Sequence, residues 1–238
     1  MWCGVLHRRA LTCSTQPLIV EVLDENAITL LARHARRLNG HWPDWPALWF
    51  FTDAQRTPGA DLPGLIAALP SGTGVVFLHY QAQRRRALGR TVAAACRAQG
   101  RMLLVAGDAG LARHLGADGV HAPQHLIDRI PGWRQTLKPG RITAAAHDRA
   151  AVIRATRAGA DAIFAAPVFN TKSHAGTQPL GVLKFAALVH ATQRPVFGLG
   201  GLTATSGARL SGSGAAGIAA IGALIVEGQD RTTKKGDA

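Results

Sequence analysis

Two glycine stretches near the end of the chain carry the clearest hint of chemistry. Gly200-Gly201 follows the apolar run 196–199, and Gly222-Ala223 follows the run 217–221. Without a Cβ, glycine lets backbone N–H groups approach an anion closely. The run 196–199, its glycine turn, a small-residue helix and the second run read as a βαβ unit. A short helical turn opening at Gly222-Ala223 would aim its N-terminus at the same point, and a phosphate is the ligand such a point would hold. A tight turn with no ligand is the plain alternative. Position favours the site, because the last two units of an eight-fold strand–helix barrel are where phosphate is commonly bound.

Other titratable residues close other apolar runs. His147 follows the run 142–146, where a barrel places chemistry, and reads equally as catalytic or as a hydrogen-bonded structural residue. His79, His147 and His174 could converge on the barrel mouth, although their spacing is no recognised metal motif. His121, within 119–122, reads as a satisfied core or rim histidine. Asp53 and Asp108 read as ligands or as caps of the helices that follow. Lys172 reads as a partner for substrate phosphate or as a solvated loop charge. No nucleophile–base pair can be assigned.

The elements that must position these residues alternate regularly. Apolar runs at 48–51, 74–78, 102–105, 119–122, 142–146, 162–166, 196–199 and 217–221 predict eight short strands. Helical patterns fall at 62–69, 84–99, 109–115, 147–157 and 180–191, with an irregular helical segment around 130–133. LGADGVHAP (115–123), AGADAIFAAP (158–167) and GSGAAGIAAIG (212–222) repeat one pattern: a helix ends at glycine, the chain turns, and a strand begins. Eight strands with intervening helices predict a (β/α)8 TIM barrel. The eighth helix reads as truncated, and a helix at 28–38 is the candidate to fill its place in the outer ring. The resulting plan is an N-terminal extension with one helix (1–46), a barrel (47–227) and a disordered polar tail (228–238).

Composition narrows the partners. The net charge of +13 over 238 residues admits anionic ligands. Arg33, Arg36, Arg37 and the Arg84-Arg85-Arg86 run lie in helical contexts without interleaved aromatics, so they read as solvated faces and no nucleic-acid partner is expected. Cys3, Cys13 and Cys96 form no CxxC pair, which suits a reducing cytoplasm. The N-terminus lacks a continuous apolar signal-peptide core, and no run reaches membrane-spanning length. A cytoplasmic protein with no membrane partner is the expectation.

LWFFTD, LLVAGDAGLARHLGADGVHAPQ, ITAAAHD, APVFNTKSHAG and PVFGLGGLT, in that order, resemble the thiamine phosphate synthase/TenI family of TIM barrels over about residues 47–224. The resemblance implies an enzyme of thiamine biosynthesis. Synthases of this family use Mg²⁺ to assist departure of diphosphate from an aminopyrimidine methyl diphosphate, and a thiazole phosphate nitrogen attacks the resulting cation. TenI proteins instead isomerise a thiazole carboxylate phosphate with a general acid/base. Gly200 and Gly201 match the family's glycine turn, Gly222-Ala223 its second phosphate position, and Thr171 a substrate-contacting threonine. His147 matches the TenI acid/base.

The diphosphate clamp departs from the family's pattern. The Gln-x-Arg-x-Lys of strand two reads here as Phe77, His79 and Gln81. The metal-binding aspartate aligns with Gly107, one place before Asp108, which makes Asp108 the candidate Mg²⁺ ligand. The second metal aspartate aligns with Leu126, the strand-five serine with Ala145, and the strand-six lysine with His174. His79, Lys172 and His174 are the remaining substrate-binding candidates. The expected function is therefore synthase, with phosphorylated small molecules as partners. A TenI-like tautomerase using His147 and a non-catalytic thiazole-phosphate binder are the alternatives, and a homodimer is left open.

Overall fold

Four-residue apolar segments that are buried on both faces suit parallel strands covered by helices, and eight of them build this molecule. The computed structural model describes residues 25–54, 61–80, 84–171, 178–221 and 224. The strands are β1 (Leu48–Phe51), β2 (Gly74–Phe77), β3 (Leu103–Ala106), β4 (Gly119–Ala122), β5 (Arg141–Ala146), β6 (Ala162–Ala165), β7 (Val196–Leu199) and β8 (Gly217–Ala220). They lie in chain order, all parallel, and β1 pairs with β8 through Leu48–Ile218 and Phe50–Ala220 to close the barrel.

The helices are α1 (Glu25–Leu38), α2 (Leu62–Ala68), α3 (Arg85–Ala98), α4 (Ala109–Leu115), α5 (Ile130–Thr136), α6 (Arg149–Ala158), α7 (Gly181–Val189) and α8 (Ala204–Gly207). A 3₁₀ segment, Gln124–Arg129, precedes α5, and this is the irregular helical region expected around 130–133. The strand bounds differ from expectation by a residue at several ends, as hydrogen-bonded limits and apolar limits need not coincide.

Aromatic residues fill the barrel. Trp49 meets the rings of Phe164 and Phe197 at 5.4 and 5.9 Å, and Phe51 meets Phe164 at 5.0 Å. Trp49 fits because the facing residue on β2 is Gly74, whose Cβ would stand 2.6 Å from the indole ring. Trp45 closes the amino-terminal end, 6.3 Å from Trp49, with the Arg141 guanidinium 4.6 Å over its own ring. A second apolar layer separates strands from helices.

α8 is only four residues long, and α1 packs beside it. Ile28, Leu31, Ala32 and Ala35 recur at helical spacing on the buried face of α1. The contact is close: a Cβ on Gly207 of α8 would lie 3.1 Å from Leu31 Cδ1. The barrel's outer ring is thus completed from the N-terminal side of the chain. Among the described residues, no helix is long and apolar enough to cross a membrane.

Candidate active site

Parallel strands all end on one face, so the residues just beyond β1 to β8 share a mouth. Beyond β7, Gly200 and Gly201 hold φ of +92° and +66°, the left-handed region glycine tolerates best. The turn presses on the loop after β6. Val168 N–H donates to Leu199 O at 2.9 Å and Phe169 N–H donates to Gly200 O at 3.0 Å. A Cβ on Gly200 would stand 2.9 Å from Pro167 Cβ and 3.7 Å from Thr171 Cγ2. The Gly201 carbonyl accepts from Ser206 Oγ at 3.0 Å, and Thr203 with Ser206 forms a capping box at α8. With both carbonyls so engaged, the glycine turn and Thr171 stand side by side at the mouth.

His147 follows β5. Its backbone N–H donates to Gln124 Oε1 at 2.8 Å, and its Nδ1 lies 2.6 Å from Ala166 O. A carbonyl only accepts, so Nδ1 carries a proton, and in the neutral ring Nε2 is the basic nitrogen. The ring is therefore oriented by the end of β6. Beneath the mouth, His121 Nδ1 pairs with Thr143 Oγ1 at 2.9 Å, and its ring lies 5.4 Å from those of Phe51 and Phe164. Complete burial pushes the His121 pKa down to about 3, so this ring is a neutral floor.

The β1–β3 side is organised differently from expectation. Thr52 Oγ1 accepts from Leu78 N–H at 3.1 Å and pairs with His79 Nδ1 at 2.9 Å. His79 stacks on Phe77 at 5.4 Å and is buried; its φ of +31° is unusual for a residue with a side chain. Burial lowers its pKa; Asp53 opposes that shift and Arg85 adds to it. His79 is thus held between Phe77 and Thr52 just beyond β2.

Arg85, the first residue of α3, reaches across the ends of two strands. Its Nη2 donates to Ala106 O at 2.6 Å and to Leu78 O at 3.2 Å, while Nη1 lies 3.9 Å from Asp108 Oδ2. The guanidinium also sits 5.3 Å over the Tyr80 ring, and burial pushes the Tyr80 hydroxyl up to about 12. Asp108 is the N-cap of α4: Oδ1 accepts from Leu111 N–H at 2.8 Å.

That arrangement bears on Mg²⁺. One Asp108 oxygen caps a helix and the other faces a guanidinium, which competes with a metal for the same lone pairs. Among the described residues, no group of three His, Cys, Asp or Glu side chains gathers to hold an ion. Among the described residues the protein therefore gathers no ready-made three-ligand site, and Asp108 already faces a helix N–H and a guanidinium. Lys172, His174, Gly222 and Ala223 lie outside the described residues. Sequence reading missed Arg85 and Thr52; the one available signal was an arginine opening the helix directly after β2.

A closed (β/α)8 barrel with its polar groups gathered beyond the carboxyl ends of the strands defines the class of barrel enzymes. The family described as thiamine monophosphate synthase matches residues 48–224. A putative thiamine-phosphate synthase of Geobacter sulfurreducens is 32% identical over 191 residues, covering 78% of this chain and 89% of that protein. A thiamine-phosphate synthase of Chlorobium luteolum is 32% identical over 187 residues, covering 76% and 86%. A solved thiamine phosphate pyrophosphorylase from Pyrococcus furiosus shares the fold, with a TM-score of 0.64 at 22% identity over 73% of this chain and 84% of that one. The chain belongs to the thiamine monophosphate synthase family, and with it to the transferases of thiamine biosynthesis.

Proposed function

We propose that this chain joins an aminopyrimidine methyl diphosphate to a thiazole phosphate. In that reaction the bond from the pyrimidine methylene carbon to the diphosphate oxygen breaks, and pyrophosphate leaves with the bonding pair. The thiazole nitrogen then supplies the pair for the new C–N bond. The chain's part is to hold two phosphorylated molecules in line and to keep water from the cationic carbon.

The observation that carries this reading is the contact between the β6 and β7 loops. Gly200 and Gly201, in the left-handed region, bring backbone N–H groups beside Thr171 at the mouth, which suits the thiazole phosphate. By sequence position, Gly222-Ala223 after β8 and Lys172 and His174 after Thr171 are the candidates to complete it. Phe51, Phe164 and neutral His121 supply an apolar, uncharged floor suited to an aromatic heterocycle. Asp108, capping α4 and facing Arg85, is given no metal role in this reading.

Mass-spectrometric detection of thiamine phosphate from the two substrates tests the reading. Product with matching pyrophosphate release is expected, and Thr171→Val weakens thiazole phosphate binding severalfold. Saturable binding without product would leave a thiazole-phosphate-binding protein.

His147 favours one second reading. With Nδ1 bonded to Ala166 O, Nε2 would be the nitrogen to act as the base a thiazole tautomerase needs. Under that reading the protein shifts a proton on a thiazole carboxylate phosphate and ignores the pyrimidine.

A further inference from the structure

Arg85, at the start of α3, brings a cation to the ends of β2 and β3. A clamp on a leaving diphosphate needs positive charge at the β2–β3 mouth, and Phe77, His79 and Gln81 supply none at neutral pH. Arg85 Nη2 is anchored to the carbonyls that end both strands, Leu78 O and Ala106 O. These bonds use two of the five N–H donors of the guanidinium. Among the described residues its buried Nε has no hydrogen-bond partner, and its Nη1 is 3.9 Å from Asp108, beyond hydrogen-bond reach. Tyr80 lies against one face of the group, holding its plane. A half-buried guanidinium, tethered through Nη2 at the mouth of a barrel and with Nη1 held only by the long Asp108 contact, is poised for an oxyanion.

We propose that Arg85, rather than a metal held by Asp108, is the group of this chain that meets a diphosphate at the β2–β3 mouth, with Asp108 as its resting partner. The inference rests on the synthase reading for its ligand class. When diphosphate arrives, Nη1 leaves the long Asp108 contact for a phosphate oxygen, and Asp108 keeps its bond to Leu111 N–H. Asp108 therefore restrains the cation and does not coordinate.

The test is calorimetric titration of inorganic pyrophosphate into the full chain, with and without Mg²⁺, for wild type, Arg85→Gln and Asp108→Asn. Wild type binds in the absence of Mg²⁺. Arg85→Gln weakens binding about tenfold or more, the loss of a charged hydrogen-bond donor. Asparagine caps a helix as well as aspartate does, so Asp108→Asn keeps α4 and binds pyrophosphate as tightly as wild type or tighter. Should Arg85→Gln fail to fold, because it also ties the strand ends, Asp108→Asn decides alone. A wild type that binds only with Mg²⁺, or an Asp108→Asn variant that loses binding, would make Asp108 the metal ligand and overturn the inference. No pyrophosphate binding by wild type overturns it as well. Thiazole phosphate titrated in parallel separates the two readings: its binding to wild type sustains the cradle whatever pyrophosphate does, and its failure sinks the cradle itself.

Discussion

A Cβ placed on Gly201 would stand 2.5 Å from Asn170 O, closer than side-chain carbons sit to neighbouring atoms. The β6 and β7 loops therefore meet only because residue 201 is glycine, and φ of +66° adds a second reason. Gly201→Ala pushes the loops apart. The expected cost is about 1–3 kcal/mol of stability, together with loss of thiazole phosphate binding, read by urea unfolding and by calorimetry. Wild-type affinity in a folded variant would show that the contact does not shape the cradle.

Stability depends on pH through His121. The folded ring stays neutral down to about 3, whereas the unfolded ring takes up a proton below 6.5. Its contribution is therefore complete above pH 6.5 and is lost progressively as pH falls toward 3, by at most about 1.4 kcal/mol per pH unit. His79, also lowered, acts in the same direction. His121→Gln keeps a partner for Thr143 and removes this titration, so urea midpoints measured between pH 7 and 5 fall less steeply than in wild type. Parallel slopes would mean that His121 is protonated in the folded barrel.

α1 belongs to the shell. Leu31 is fully buried against α8 and the barrel. Leu31→Ala is expected to cost about 2–5 kcal/mol in denaturant unfolding, as for any core leucine. A change below about 0.5 kcal/mol, the usual range for surface substitutions, would place α1 outside the cooperative unit.

His147→Gln separates the two reactions. Under the synthase reading it retains formation of thiamine phosphate from the two substrates within a fewfold of wild type. Under the tautomerase reading it abolishes solvent-proton exchange on a thiazole carboxylate phosphate, followed by NMR, while the affinity for that ligand changes little.

The barrel was legible in the sequence because each strand is a short apolar run closed by glycine or a polar residue, and such runs have few other folds available. The gap left by a four-residue α8, and the helix to fill it, were legible for the same reason. The mouth was legible where backbone chemistry decides: Gly200 and Gly201 must be glycine. It was not legible where one long side chain decides. Arg85 stands in a run of three arginines that reads as a solvated face, and only the β2–β3 pairing brings Leu78 O and Ala106 O together within its reach. His79 was legible as a residue just past β2, but its bond to Thr52 was not, because only β1–β2 pairing brings the two together. Asp108 was readable as ligand or cap, and the Leu111 N–H it accepts is the cap.

The most direct test of the central claim is calorimetric titration of thiazole phosphate into the wild-type chain, followed by aminopyrimidine methyl diphosphate and assay of the mixture for thiamine phosphate. The account predicts one saturable thiazole phosphate site, weakened by Thr171→Val, and product once the second substrate is present. Absence of thiazole phosphate binding would contradict it, and would mean that the barrel keeps its family's fold without its family's cradle.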